Sequence, residues 1–348
     1  SWMTMIWYLA KVAFFKNLIL IRGAMKSFSS LTIFLFLCFI FTAQSRAQSS
    51  FCIDWEDEKE LGQMPPEHIN ESSGLVASRQ FGDRLYHIND SGDGPFFYVT
   101  DLQGNLIQKV QFMDDKPRDI EDLTIGIYKG EPALFLSDMG DNNETRPRIS
   151  LYIIKELEQW PERVELMDLV DLTYPDGSHD AESVSYANGE VFFLTKKVDW
   201  NERRAIDAGL YSVAISTLEK REPFDLTRIE LTKKLSLNLP FLLYNYNLWG
   251  RIATGMDVHP DGTQFAILTY GAILVVNKSL DLLDAVSGNV KEWKEKKDYL
   301  IIRTPYTPQQ EAVAYAQDGN SLLFTTEYKK RFGKNPIYSL ACKKTLQQ

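Results

Sequence analysis

From residue 71 onward, short apolar runs alternate with turn residues, and the alternation returns five times in the same form. Each unit opens on an acidic or small polar cluster, enters an apolar strand, turns, and comes back in a second strand that ends on a polar pair. The openings are Glu71-Ser72-Ser73-Gly74-Leu75, Asp119-Ile120-Glu121-Asp122-Leu123, Asp180-Ala181-Glu182-Ser183-Val184, Thr254-Gly255-Met256-Asp257-Val258 and Gln309-Gln310-Glu311-Ala312-Val313. The returns are Leu85-Tyr86-His87-Ile88-Asn89-Asp90, Leu134-Phe135-Leu136-Ser137-Asp138, Phe192-Phe193-Leu194-Thr195-Lys196, Ala266-Ile267-Leu268-Thr269-Tyr270 and Leu323-Phe324-Thr325-Thr326-Glu327. A period of two marks strands. A unit that cannot bury both of its faces alone must stack on its neighbours, so the pattern predicts an all-β chain folded as a β-propeller.

Four strands per unit give blades starting at Ser73, Asp122, Glu182, Met256 and Glu311. The turns agree: Gln103-Gly104-Asn105, Lys129-Gly130-Glu131, Asn188-Gly189-Glu190, Asp261-Gly262-Thr263 and Asp318-Gly319-Asn320 stand where hairpins need residues tolerant of positive φ. Five blades is the count. Six is the alternative, because residues 184–258 form a long stretch, but two blades there would be cramped and residues 240–250 read better as an inserted loop. The last blade is expected to take its outer strand from the N-terminal segment, with residues 51–56 beside residues 336–342.

The ends add a location. Residues 25–47 have the charged start (Lys26), apolar run and small residues (Ser45-Arg46-Ala47) of a secretory signal, residues 1–24 read as upstream sequence outside the fold, and residues 48–348 as one propeller domain. Export to a periplasmic or extracellular space is expected. The competing reading of the apolar N-terminus is a membrane anchor, but no run reaches the roughly 20 apolar residues of a span. Of three cysteines, Cys52 and Cys342 follow the signal, and in an exported protein they are a candidate disulfide across the propeller closure. The alternative is two buried thiols. A net charge of −9 argues against a nucleic-acid partner. A monomer acting on a small-molecule, envelope or extracellular ligand is expected.

Candidate chemistry follows from strand direction. Neighbouring strands alternate, so the starts of inner strands and the ends of second strands converge around one channel mouth. Glu121, Glu182, Asp257 and Glu311 are the expected metal ligands, because crowded carboxylates need a counter-charge and Ca²⁺ takes six to eight oxygens. Asp122, His179 and Lys196 are the expected catalytic residues, with Asp122 or His179 moving a proton and Lys196 holding the leaving anion. Asp90, Asp138, Arg146, Lys197, Tyr270 and Glu327 are the expected ligand contacts. For Asp119 and Asp180 the favoured role is capping or blade-locking. Lys196 and Lys197 stand equally well as ion-pair partners of Asp138 or Glu182. His87 is a second candidate proton carrier, and His259 reads as turn chemistry.

The stretches Glu71-Ser72-Ser73-Gly74-Leu75, Asn89-Asp90-Ser91-Gly92, Asp119-Ile120-Glu121-Asp122 and Asp138-Met139-Gly140-Asp141-Asn142 together resemble a family of exported bacterial propellers. They are loosely similar to phytase-like and esterase-like propellers and, by blade count, to calcium-dependent nucleotidases. The phytase-like resemblance implies Ca²⁺-assisted cleavage of phosphate esters. Two functions are therefore expected to compete at one mouth: a metal-dependent hydrolase of phosphate or carboxylate esters, or a non-catalytic ligand- or protein-binding propeller with a structural calcium. A scaffold for protein partners would need an exposed apolar patch, and residues 241–249 are the candidate.

Overall fold

The computed structural model describes residues 51–346 apart from 91, 306–308 and 332. The signal-like segment 25–47 and the upstream residues 1–24 lie outside the described residues. Five sheets form the blades of a β-propeller, antiparallel except that the short strand Ile229–Glu230 joins the second blade parallel to Asp168–Thr173. Their inner strands are Ser72–Ala77, Ile120–Tyr128, Ala181–Ala187, Ala253–Val258 and Gln310–Tyr315. Each inner strand lies against the next and the fifth lies against the first, which closes the ring.

Each junction between blades holds its own apolar core, because every strand presents one face to each neighbour. Five buried clusters result, one per junction: Phe97 with Leu136, Phe135 with Phe193, Phe192 with Phe265, Ile273 with Phe324, and Leu323 with Tyr98. Two-residue hairpins set the blade registers. Tyr128 pairs with Glu131 and Ala187 with Glu190, across Lys129-Gly130 and Asn188-Gly189 with both residues of each turn at positive φ. That backbone suits Gly and Asn and matches the twist of the flanking strands. The stretch 184–258 holds one blade, a two-stranded hairpin (Val198–Asp199 with Arg204–Ala205) and two single-turn helices, Ile215–Leu218 and Leu239–Leu242.

Closure differs in detail from the expected pairing. The final strand Pro336–Leu346 is long enough for two N-terminal partners placed end to end. Phe51–Trp55 pairs with its far half, Cys342 to Leu346, and Lys59–Gln63 pairs with its near half, Pro336 to Ser339. Asp57 and Glu58 separate the two partners and are exposed, as are Glu56 and Glu60. These charges blunt the outer edge of the blade against pairing with another chain. Cys52 and Cys342 form a disulfide with Cα atoms 5.9 Å apart, closing a loop with a sequence separation of 290 residues. Arg79, just past the first inner strand, makes a second tie: it donates to Asp257 at 3.2 Å, to Val258 O at 3.1 Å and to Tyr315 O at 3.1 Å. Blade one is thereby fastened to blades four and five at the far end of the channel.

A disulfide that closes so long a loop restricts the unfolded chain most, so Cys342→Ser is expected to cost about 2–5 kcal/mol. Urea unfolding with hydrogen exchange checks this: blade five should exchange first in the variant, and exchange spread evenly over all blades would contradict the closure role.

Candidate site at the channel mouth

Every inner strand begins with the same irregularity. The register against the second strand shifts between Ser72 and Gly74, Ile120 and Asp122, Ala181 and Ser183, Ala253 and Gly255, and Gln310 and Ala312. A β-bulge re-aims the extra residue. The extra residues are Ser73, Glu121, Glu182, Thr254 and Glu311, all buried. Two glycines allow the close approach this requires, since a Cβ on Gly74 would meet Asp122 Oδ1 at 2.8 Å and one on Gly255 would meet Glu311 O at 2.8 Å.

Two further tiers surround the bulges. The residues two positions before them are Glu71, Asp119, Asp180, Ile252 and Gln309. Their carbonyls accept from Asp90 N at 2.8 Å, Met139 N at 3.0 Å, Lys196 N at 2.9 Å and Glu327 N at 3.0 Å in blades one, two, three and five. The strand-end tier is thus Asp90, Met139, Lys196, Tyr270 and Glu327.

The contacts divide the mouth in two. On the side of blades three to five, Lys196 donates to Glu182 at 2.5 Å, and Tyr270 donates to Glu311 at 3.0 Å. There Gln309 reaches Glu327 at 2.7 Å and Glu311 at 3.4 Å, and Lys329 pairs with Glu327. On the side of blades one and two, Asp90, Asp119 and Glu121 bring carboxylate oxygens within 4.8 Å of one another, and Ser73 Oγ donates to Glu121 at 3.4 Å. Gly140 closes this trio from behind: a Cβ there would lie 2.1 Å from Glu121 Oε1 and 2.5 Å from Asp119 Oδ2.

Crowding and burial move the titrations. Burial, then Glu182, Asp90 and Asp119, push the Glu121 carboxyl well above its ordinary value. Burial, then Glu327 and Glu182, do the same to Glu311. Burial raises Glu182 to about 7, against the opposing pull of Lys196. Burial would lower the Lys196 ammonium, but Glu182 and Asp180 outweigh it and the net shift is upward.

Of the expected metal ligands, Glu121, Glu182 and Glu311 share the bulge tier and Asp257 does not. Asp257 stands three residues past the bulge position Thr254, so its carboxylate meets Arg79 and accepts from Tyr315 N at 2.7 Å. Asp138 is also displaced. It pairs with Ile120 as Asn89 pairs with Ser72, one residue before the tier that Asp90 occupies, and a one-residue slip turns the side chain to the other face. Asp138 is buried against Arg146 at 2.7 Å and accepts from the backbone of Arg118 and Asp119. Arg146 is buried too, donating to Gly140 O at 2.8 Å, and so fixes the loop that carries Gly140 rather than reaching over the face.

Among the expected catalytic residues, Asp122 is sealed between blades, accepting from Val184 N at 2.9 Å and Leu123 N at 2.8 Å. His179 bonds Asp176 at 2.8 Å and Tyr211 at 2.9 Å, and its ring packs on Tyr174, so its partners are this polar cluster and not the glutamates of the bulge tier. Lys196 lies in the mouth as an ion-pair partner. Lys197 points to Glu144 at 3.5 Å. His87 is buried and neutral against Thr100, and His259 caps its turn with Asp261. Asp90, Tyr270 and Glu327 stand in the strand-end tier. Asp119, read as a cap, is instead part of the carboxylate trio, and the signal for it was its constant position two residues before Glu121.

Residues 240–250 and the hairpin 198–205 supply an aromatic rim. Trp200 and Trp249 are exposed with ring centroids 5.8 Å apart, and Trp249 meets Tyr270 edge-on at 6.0 Å. Phe241 and Tyr244, in the same loop as Trp249, are exposed too.

No protein-family model and no curated protein matches the chain. Among solved structures, the WD40 domain of Neurospora crassa Pan2 is similar over 85% of this chain and 99% of that one, at 11% identity and a TM-score of 0.41. The Myceliophteria thermophila Cps50 (Swd1) β-propeller domain is similar over 82% and 100%, at 11% identity and a TM-score of 0.40.

Two outcomes test the geometry. Gly140→Ala should force Glu121 and Asp119 apart and destabilise the protein by about 1–3 kcal/mol, read from chemical unfolding; an unchanged midpoint would mean the trio is looser than described. A carboxylate raised on folding contributes stability below its unfolded value near 4.5 and loses it as pH rises through about 7. In chelator, the melting temperature of the natural protein should therefore fall between pH 5 and 7.5 relative to Glu182→Gln, and parallel profiles would refute the shift.

Proposed function

We propose that the protein is an exported ligand-binding propeller whose channel mouth holds a divalent cation, Ca²⁺ by its chemistry. The observation that carries the reading is the Asp90, Asp119 and Glu121 trio. Oxygens within 4.8 Å of one another fit across a Ca²⁺ shell, whose ligands at about 2.3–2.6 Å stand up to ~5 Å apart. A cation there also relieves the repulsion that raises the neighbouring carboxyls. The disulfide supports export, because such bonds persist in oxidising compartments. The aromatic rim around Trp249, which meets Tyr270 of the same mouth, supplies ligand-facing surface. Among the described residues no helix is long and apolar enough to cross a membrane.

A second reading, the metal-dependent ester hydrolase, is favoured by one observation. Glu182, poised near neutrality beside Lys196, has the proton affinity that general acid–base work needs. Of the groups assigned to proton transfer, Asp122 is held by backbone donors and His179 by Asp176, so binding remains the preferred reading.

Calorimetric titration of CaCl₂ into chelator-stripped protein tests both. The expected result is one saturable site, a stabilisation of about 2.7 kcal/mol at calcium a hundredfold above Kd, and its loss in Asp119→Asn and Glu121→Gln. Affinity should strengthen as pH rises, because burial and the neighbouring carboxylates hold a proton on Glu121 above its ordinary range and the cation must displace it. Absence of both binding heat and thermal shift would overturn the cation reading, and calcium-dependent turnover of p-nitrophenyl phosphate or acetate that vanishes in Glu182→Gln would replace binding with hydrolysis.

A further inference from the structure

Beside the acidic mouth, under the loop 239–251, lies an open cavity of about 740 Å³. Its size falls in the range of small-molecule sites, roughly 300–1,000 Å³. Its chemistry is opposite to that of the mouth. Arg303 and Arg331 line it, with Lys329 at its edge paired to Glu327, and among its described lining residues none is acidic, although the whole chain carries a net charge of −9. Tyr246, Trp249 and Tyr270 supply three ring surfaces, and the Arg303 guanidinium lies 5.7 Å from the Tyr246 ring centroid. Asn245, Asn247 and Gln309 add neutral amides.

The wall is built before any ligand arrives. Asn238 caps the turn Leu239–Leu242 through Phe241 N, Asn247 Oδ1 accepts from Gly250 N at 3.0 Å, and Arg251 Nε donates to Tyr246 O at 2.7 Å. Gly250 and Gly271 let Tyr246 lie flat against the backbone, since a Cβ on either would stand 2.9 Å or 3.3 Å from Tyr246 carbons. A site fixed in this way loses little ordering entropy on binding.

We propose that this cavity binds an acidic sugar, a pyranose carrying a carboxylate, as in a short polyuronate chain. The inference deepens the ligand-binding reading by naming its ligand class. Aromatic faces pack on the C–H face of a pyranose, amides match its hydroxyls, and arginine matches its carboxylate in bidentate geometry. A polyphosphate fits less well, because Glu311 and Glu327 stand just across Gln309 and repel concentrated negative charge, whereas a uronate spreads one charge per ring.

The test is calorimetric titration of tri-galacturonate into the full protein in EGTA, with cellotriose and ATP as comparison probes. Saturable binding of tri-galacturonate is expected, with both comparisons at least about tenfold weaker. Trp249→Ala and Arg303→Ala, which alter exposed side chains, should each weaken it by about tenfold, the loss of one charge-assisted or stacking contact. Absence of tri-galacturonate binding, equal binding of cellotriose, preference for ATP, or full affinity in both variants would each overturn the proposal. Because calcium is chelated throughout, a failure of the cation reading leaves this measurement unaffected.

Discussion

The bulge at the start of each inner strand is the constraint on which the site depends. In an unbroken strand, alternate residues face opposite sides, and the positions of Glu121, Glu182 and Glu311 would be committed to a blade junction. Those junctions are filled with apolar side chains, where an unpaired carboxylate is costly. Inserting one residue frees the carboxylate from the ladder and keeps the following apolar residue in register. Repeated five times around a ring, the device collects polar groups at one end of the channel and leaves the five cores intact.

That constraint also decides what could be read from the chain. Blade number, turn positions and the Cys52–Cys342 pairing follow local rules, namely a period of two, glycine at positive φ and two cysteines flanking the closure, so they were legible. The three glutamates were legible because Val184, Val313 and Leu123 each follow the bulge residue by two. The fourth unit misled because Asp257, three residues past the bulge, resembles an acidic opening, whereas the residue in register is Thr254. In the second unit Asp138 stands two residues before a glycine as Asp90 does in the first, yet by strand pairing it matches Asn89. Alignment by residue type fails wherever a single-residue shift reverses the face, and strands leave no trace of that shift in composition.

Apart from that disulfide, side-chain contacts between distant segments were not legible. Arg79 meeting Asp257, and Gly140 lying under Asp119 and Glu121, depend on ring closure and on a loop clamped by Arg146. Arg146 illustrates the point: its burial follows from Asp138 turning inward, which no local pattern announces. The rim is similar. Trp200 and Trp249 are separated by a full blade's outer strands in sequence and meet only because both connections project over the same face.

The resulting mouth is electrostatically lopsided, and the lopsidedness has a consequence for any ligand. Blades one and two gather the three carboxylates of Asp90, Asp119 and Glu121 within 4.8 Å of one another, while blades three to five set theirs against Lys196, Tyr270, Gln309 and Lys329. Beyond Gln309 the sign reverses at Arg303 and Arg331. A purely anionic ligand centred on the channel would be repelled, and a purely cationic one would be turned away from the rim. A ligand with separated anionic and neutral polar parts meets less opposition, because its anion can sit on the basic rim while its hydroxyls face the carboxylates as donors. A bound cation would extend that tolerance inward by neutralising the trio, so occupancy of the mouth and reach of the ligand would be coupled through charge alone, without movement of any blade.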